Sequence, residues 1–196
     1  SAIADAIALH YRGRAPMFPM PHFALQSMQE LWFFGLLGVV CGLVGWAMTG
    51  ALFWLDRQFD KLPLHPVAVW APTVGALALG VIEFFDPNVF GNGYGTIRDI
   101  LNSSHPPLVL LRISAAKFWA LVISLGSGTT GGVFAPSLVV GGGVGAAFGE
   151  LLRHWLPAAG ISSPAFYALA AMAAVFGSIA RAPFTAIIFL FELSHN

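Results

Sequence analysis

The sequence predicts an all-α, polytopic membrane protein, and three observations predict it. Of its 196 residues 57% are hydrophobic and only 9% charged, with a mean hydropathy of +0.78. A soluble domain carries about 25% charged residues, so this chain has too few to cover a water-facing globule. The charges are also clustered: no Asp, Glu, Lys or Arg lies between Glu30 and Asp56, Lys61 and Glu83, Lys117 and Glu150, or Arg153 and Arg181. Each gap reaches the roughly 20 apolar residues of a spanning helix. No stretch shows the period-two alternation of a strand.

The same composition excludes several function classes. Nine Lys+Arg balance nine Asp+Glu, which gives no basic face for nucleic acid. The single Cys41 excludes a disulfide framework and a cysteine-built metal site. His10, His22, His65, His105, His154 and His195 never fall at i,i+4, so no metal site and no cofactor is expected. Ser1 to Tyr11 lacks a basic start and carries Asp5, unlike a signal peptide, and the missing initiator Met suggests a piece of a longer protein. Arg12 and Arg14 before the first long span balance Arg57 and Lys61 after it, which assigns no orientation.

In order along the chain, Ile3, Ile7 and Tyr11 are four apart and predict a helix over 2–11, stopped near Gly13. Pro16, Pro19 and Pro21 make 14–22 an extended connector. A long helix is predicted from about Ser27 to Phe59; Gly38 and Gly42 have the small-xxx-small spacing that admits a neighbouring helix. After Pro63 and Pro66 a span runs from about Val67 to Phe85. Asp86-Pro87-Asn88 and Gly91-Asn92-Gly93 are turn chemistry, and a short helix near Tyr94 to Leu101 follows. Pro106 and Pro107 open a span of about Leu108 to Leu125, which carries Arg112 and Lys117. Further helices are expected from Val133 to His154, from Pro164 to Ser178 and from Pro183 to Leu193, with Pro157 and Gly160 marking a turn. The last two charge gaps are longer than one span needs and contain Gly and Pro, which predicts broken elements there.

The segment Gly126-Ser127-Gly128-Thr129-Thr130-Gly131-Gly132-Val133-Phe134-Ala135-Pro136 carries the chemistry. Four glycines, three hydroxyls and a proline interrupt an otherwise charge-free region. Irregular backbone survives at membrane depth only where protein or a water-filled cavity satisfies it. The N–H groups of the next helix's first turn point back into the segment, and with their partial positive charge they form an anion site. Pro136 costs little there, because a first-turn N–H has no intrahelical partner. Partial charges on amides hold an anion moderately, as conduction requires, whereas a full charge would hold it strongly. The other reading is a tight turn that permits close packing. The residues alone leave both open. Gly141, Gly145 and Gly149 repeat every fourth residue and are read as a packing face.

These residues also carry a family resemblance. Gly126-Ser127-Gly128 with Gly131-Gly132-Val133-Phe134-Ala135-Pro136-Ser137 resembles the GSGxxGGxFxPS signature of the CLC family of chloride channels and proton/chloride antiporters. Gly91-Asn92-Gly93-Tyr94 resembles its GxGY element and Leu111 to Leu125 its Lys-containing span. Gly13 to Pro21 resembles its proline-rich connector, and Arg181-Ala182-Pro183-Phe184-Thr185 through Phe191-Glu192-Leu193 its RAPxT…E element.

The resemblance implies a CLC-type inverted-repeat fold with tilted, partly spanning helices. Residues 1–196 would be the second half of one transmembrane domain, without a cytoplasmic regulatory domain. The backbone amides of Val133 and Phe134 would bind chloride, the Phe134 side chain would line the path, and Gly131, Gly132, Ala135 and Pro136 would support the loop. Chloride would be the substrate, with protons a second one. The lipid bilayer, a homodimer partner meeting residues 1–11 and 183–193, and the remaining half of the fold would be the partners, in a bacterial plasma membrane. The family's GSGxP and GREGP motifs and its final coordinating Tyr lie outside this sequence. Transport by this chain alone is therefore not expected.

Other residues have plainer readings. Glu192, near a helix end, is read as a capping or interfacial group, although an intramembrane carboxylate is functional by default. Arg153 and Arg181 are read as helix-end groups, Lys117 as snorkelling to an interface, and the 17 Phe as lipid-facing or core. An intramembrane serine protease built on Ser127 fails at Leu125, where the nucleophile motif needs Gly, and at the lack of a partner His. A phosphate-binding loop fails because Gly126 to Gly132 lacks the Lys-Ser/Thr ending. A purely structural or dimerisation role is the remaining alternative.

Overall fold

The structure, a computed structural model, describes residues 28–61, 67–85, 91, 93–102, 105–129, 131–157 and 160–194, with the backbone alone at 67–69 and 189–194. Among the described residues there are seven helices and no strand: α1 Glu30–Asp60, α2 Val67–Phe85, α3 Tyr94–Asn102, α4 Pro107–Gly126, α5 Phe134–Trp155, α6 Pro164–Ala180 and α7 Pro183–Ser194. The predicted elements recur in order, with ends within three residues. The helix predicted at 2–11, the connector at 14–22 and the Asp86-Pro87-Asn88 turn lie outside the described residues. Three helices, α1, α4 and α5, are long and apolar enough to cross a membrane. At 1.5 Å per residue, α1 extends roughly 46 Å, more than the hydrocarbon core, so it must tilt or protrude.

The prolines place the helix starts. Pro107 and Pro164 each lie in a first turn, where a missing N–H costs nothing, and extended Pro106 and Ser163 precede them. Helix α6 ends on Arg181 in the left-handed region, φ 54°, whose amide donates to the Gly177 carbonyl. The Ala182 amide donates to the same oxygen at 3.2 Å, which closes the terminus before Pro183 opens α7. Arg181 and Arg153 are exposed helix-end groups, as expected. Exposed Arg112 donates from Nη2 to the Phe85 carbonyl at 3.2 Å and so covers the end of α2.

Helix α5 is the axis of the fold, bedded against α6 and α4, while α1 packs on α6 and α4 from outside. The glycine face makes this approach possible. A Cβ on Gly141 would lie 2.6 Å from the Ala171 carbonyl oxygen, one on Gly149 would lie 3.0 Å from Pro164 Cα, and one on Gly145 would collide with the Tyr167 carbonyl. Gly143 meets α4 in the same way, at Ser114 and the Leu110 carbonyl. Around this seam Leu138, Val139, Ala146, Ala147, Ala168 and Met172 are buried together with Ile97 and Ile100 of α3. In the long helix the close approach occurs at Gly45, where a Cβ would lie 2.5 Å from Ser178 Oγ, and not at Gly38 and Gly42. Those two have no described atom over them and line a groove of about 510 Å³ with Ala170, Ala174 and Gly177.

Candidate functional site: a cavity at the mouth of α5

Between α4 and α5 the chain leaves helical geometry for only a few residues. The Ser127 amide donates to Ile123 O at 3.0 Å and the Gly128 amide to Leu125 O at 3.0 Å. Gly128 adopts φ +82°, where an L side chain would be strained. The Thr129 amide donates to Ser124 O at 3.3 Å, and the Thr129 hydroxyl donates to the same oxygen. Backbone amides thus meet the carbonyls of Ile123 and Leu125, and hydroxyls meet that of Ser124, while Gly131 and Gly132 are exposed. Ser127 is buried and donates its hydroxyl to Ser124 O at 2.9 Å, so it is not presented as a nucleophile.

Helix α5 then begins at Phe134 with Val133 as its N-cap, whose apolar side chain makes no capping hydrogen bond. The Ser137 amide makes the first i→i−4 bond, to Val133 O at 3.0 Å, and Ser137 Oγ donates to Phe134 O at 2.7 Å. Pro136 occupies the third helical position, where it displaces no intrahelical donor. This turn opens on a cavity of about 480 Å³ lined by Gly131, Gly132, Phe134, Ala135 and Pro136 among others. Five of the six expected site residues are thereby brought together. The sixth, Val133, is not among the residues lining the cavity, and its side chain packs toward Met48, Leu121 and Val140. The Phe134 ring is set edge-on to Phe176, centroids 4.9 Å apart at 88°, which fixes its direction beside the cavity.

The far wall is a correction to the sequence reading. Lys117 does not snorkel to an interface: it is 5% exposed, lines this same cavity and donates from Nζ to Gly91 O at 2.8 Å. The eleventh of the 20 residues of α4, it is too far from either end for its stem to reach water. Glu83, Tyr94 and Ser124 also line the cavity. The sequence signal was present, since an ionisable group in the middle of an apolar span is functional by default. A full positive charge therefore stands on a wall that was expected to carry amide dipoles alone.

A second buried charge had no sequence signal. Glu30, which reads as the mere border of a charge gap, is 1% exposed and holds the loop before α6. It accepts from the Ser162 amide at 2.5 Å, from Ser162 Oγ at 2.8 Å and from the Tyr167 hydroxyl at 3.3 Å. The side chain of Glu192 lies outside the described residues.

Helices that break at a cavity inside an apolar bundle define a polytopic membrane protein. Comparison with known proteins makes this specific. The model of the voltage-gated chloride channel family matches residues 1–196, and the chain belongs to that family. It is similar to chloride channel protein CLC-f of Arabidopsis thaliana, 33% identical over all of this chain and 27% of that protein. It is also similar to the H(+)/Cl(-) exchange transporter ClcA of Vibrio campbellii, 29% identical over 99% of this chain and 42% of that one. Among solved structures, a slow cyanobacterial Cl-/H+ antiporter superposes with a TM-score of 0.87 at 28% identity, over 100% of this chain and 45% of the other. The chain thus spans less than half the length of these relatives. It is an integral, multi-pass membrane protein.

Proposed function

We propose that this chain supplies half of a transmembrane chloride pathway, in which the backbone amides of Val133 and Phe134 hold the ion and Gly131, Gly132, Ala135 and Pro136 shape its seat. One observation carries the reading: the first turn of α5 faces a cavity lined by its own residues. Helix N-termini with oriented amides bind anions, and glycines beside them let an ion approach the backbone. Relatives named as chloride channels and as proton/chloride exchangers supply the substrate, and protons are the second species in an exchanger.

Chloride passage requires the remaining half of the fold, and two copies associate. The exposed Phe184, Ile187 and Ile188 of α7 offer an apolar face for that second copy. Crystals of the intact protein soaked in bromide test the site directly. Anomalous density is expected at the amides of Val133 and Phe134, and density elsewhere in the cavity with none there overturns the assignment. Liposomes holding residues 1–196 alone are expected to show no chloride efflux.

A further inference from the structure

We propose that Lys117 is the residue that sets anion occupancy of this cavity, supplying the full positive charge that draws an anion to the mouth of α5. The inference rests on the reading of α5 as an anion site and adds a second, side-chain determinant to it. Lys117 and the α5 turn line one cavity, so any anion at the amides lies in the field of the ammonium. Burial strengthens that field, because fewer waters screen the ammonium itself.

The local structure is built around the ammonium. Its stem rises from the middle of α4, and the Gly91 carbonyl takes one of its three donors at 2.8 Å. Gly91 and Gly93 both have positive φ, +77° and +82°, which folds the backbone around the lysine tip. A Cβ on Gly93 would sit 3.6 Å from Lys117 Cε and 3.9 Å from Nζ, so the turn forms a collar on the side chain. The opposing charge on the cavity lining is Glu83, and Tyr94 is the other titratable group there. The amides hold the ion and the ammonium raises its concentration at them. The carboxylate of Glu83 keeps the attraction short of trapping, as conduction requires.

Opposite charges on one cavity give opposite signs of effect, which a structural role would not. Chloride and bromide affinity would be measured by calorimetry on the intact protein, with bromide density followed in the same variants. Lys117→Gln keeps a donor toward Gly91 without the charge and is expected to weaken binding roughly ten-fold. Lys117→Arg is expected to remain near the parent, and Glu83→Gln to bind more tightly. Lys117→Gln at parental affinity, with density still on the Val133 and Phe134 amides, overturns the role of Lys117 and leaves the α5 site standing. Absence of density at those amides in the parent overturns both. Weak binding in Lys117→Met with parental affinity in Lys117→Gln assigns the effect to the hydrogen bond and overturns the charge role. Should the neutral lysine variants not fold, the Glu83→Gln result decides: tighter binding supports the proposal and unchanged binding overturns it.

Discussion

Glu30 and Lys117 are both ionisable, both nearly sealed from solvent and both carried by membrane helices, yet their surroundings differ in kind. Glu30 is met by the amide and hydroxyl of Ser162 and by the Tyr167 hydroxyl, donors converging from the start of α6. It lines neither of the two cavities described above. Lys117 is met by the Gly91 carbonyl and lines the cavity that the first turn of α5 also lines. A buried charge surrounded by partners locks two elements together; a buried charge facing a void can act on whatever enters it. Burial alone does not distinguish the two.

The largest effect expected from breaking this contrast is on stability at Glu30. Glu30→Ala strips the Ser162 amide, the Ser162 hydroxyl and the Tyr167 hydroxyl of this acceptor and opens space between α1 and α6. Removing one member of a buried charged network costs about 3–5 kcal/mol. Glu30→Gln keeps one acceptor oxygen but turns an NH2 group toward donors, with an expected loss of about 1–3 kcal/mol. Thermal unfolding in detergent checks both. Chloride affinity of folded Glu30→Gln is expected to be parental; a ten-fold loss there would erase the distinction between lock and site.

A smaller effect is expected at the lysine collar. Gly93→Ala forces a side chain onto φ +82° and places its Cβ 2.8 Å from Val139 Cγ2. The left-handed conformation alone costs about 1–2 kcal/mol for an L residue. The turn must shift, taking the Gly91 carbonyl with it, so anion affinity is expected to fall in the same direction as in Lys117→Gln. Gly95, two residues on and inside α3, has open space where a Cβ would stand, with nothing within 4 Å. Gly95→Ala is expected to leave affinity unchanged and to gain about 0.5–1 kcal/mol from helix propensity. Paired melting curves and titrations of the two variants separate collar from composition.

Much of the fold was legible because the membrane makes the sequence speak plainly. Charge gaps bounded the spans, prolines at 107, 164 and 183 marked helix starts, and glycines at 141, 145 and 149 marked the tightest seam. The loop before α5 stood out because polar, irregular backbone has no place in hydrocarbon unless something uses it. What was not legible depended on pairing across long stretches of chain. Glu30 and Ser162 are 132 residues apart, and neither residue bears a local mark of the other. Lys117 was legible as an intramembrane charge, but its meeting with Gly91 26 residues earlier was not. Gly38 and Gly42 show the limit of spacing rules: the pattern names a surface suited to close packing without naming what packs there.

The smallest expected effect is the most discriminating between the two charges. Tyr167 is fully buried, and its ring stacks on Phe34 with centroids 4.6 Å apart and planes at 8°. Tyr167→Phe preserves that stack and removes only the hydroxyl, which makes the longest of the bonds to Glu30, at 3.3 Å. The carboxylate keeps both donors from Ser162, so the loss is expected to be about 0.5–1.5 kcal/mol, the net value of one hydrogen bond. The backbone of Tyr167 lies against Gly145 of α5, the helix whose first turn fronts the cavity. Strain from the Glu30 lock has a direct route to the cavity across this contact. Parental chloride affinity in Tyr167→Phe, with the small loss in melting temperature, shows that the α5–α6 seam insulates one charge from the other; a shift in affinity shows that the lock and the cavity are one coupled unit.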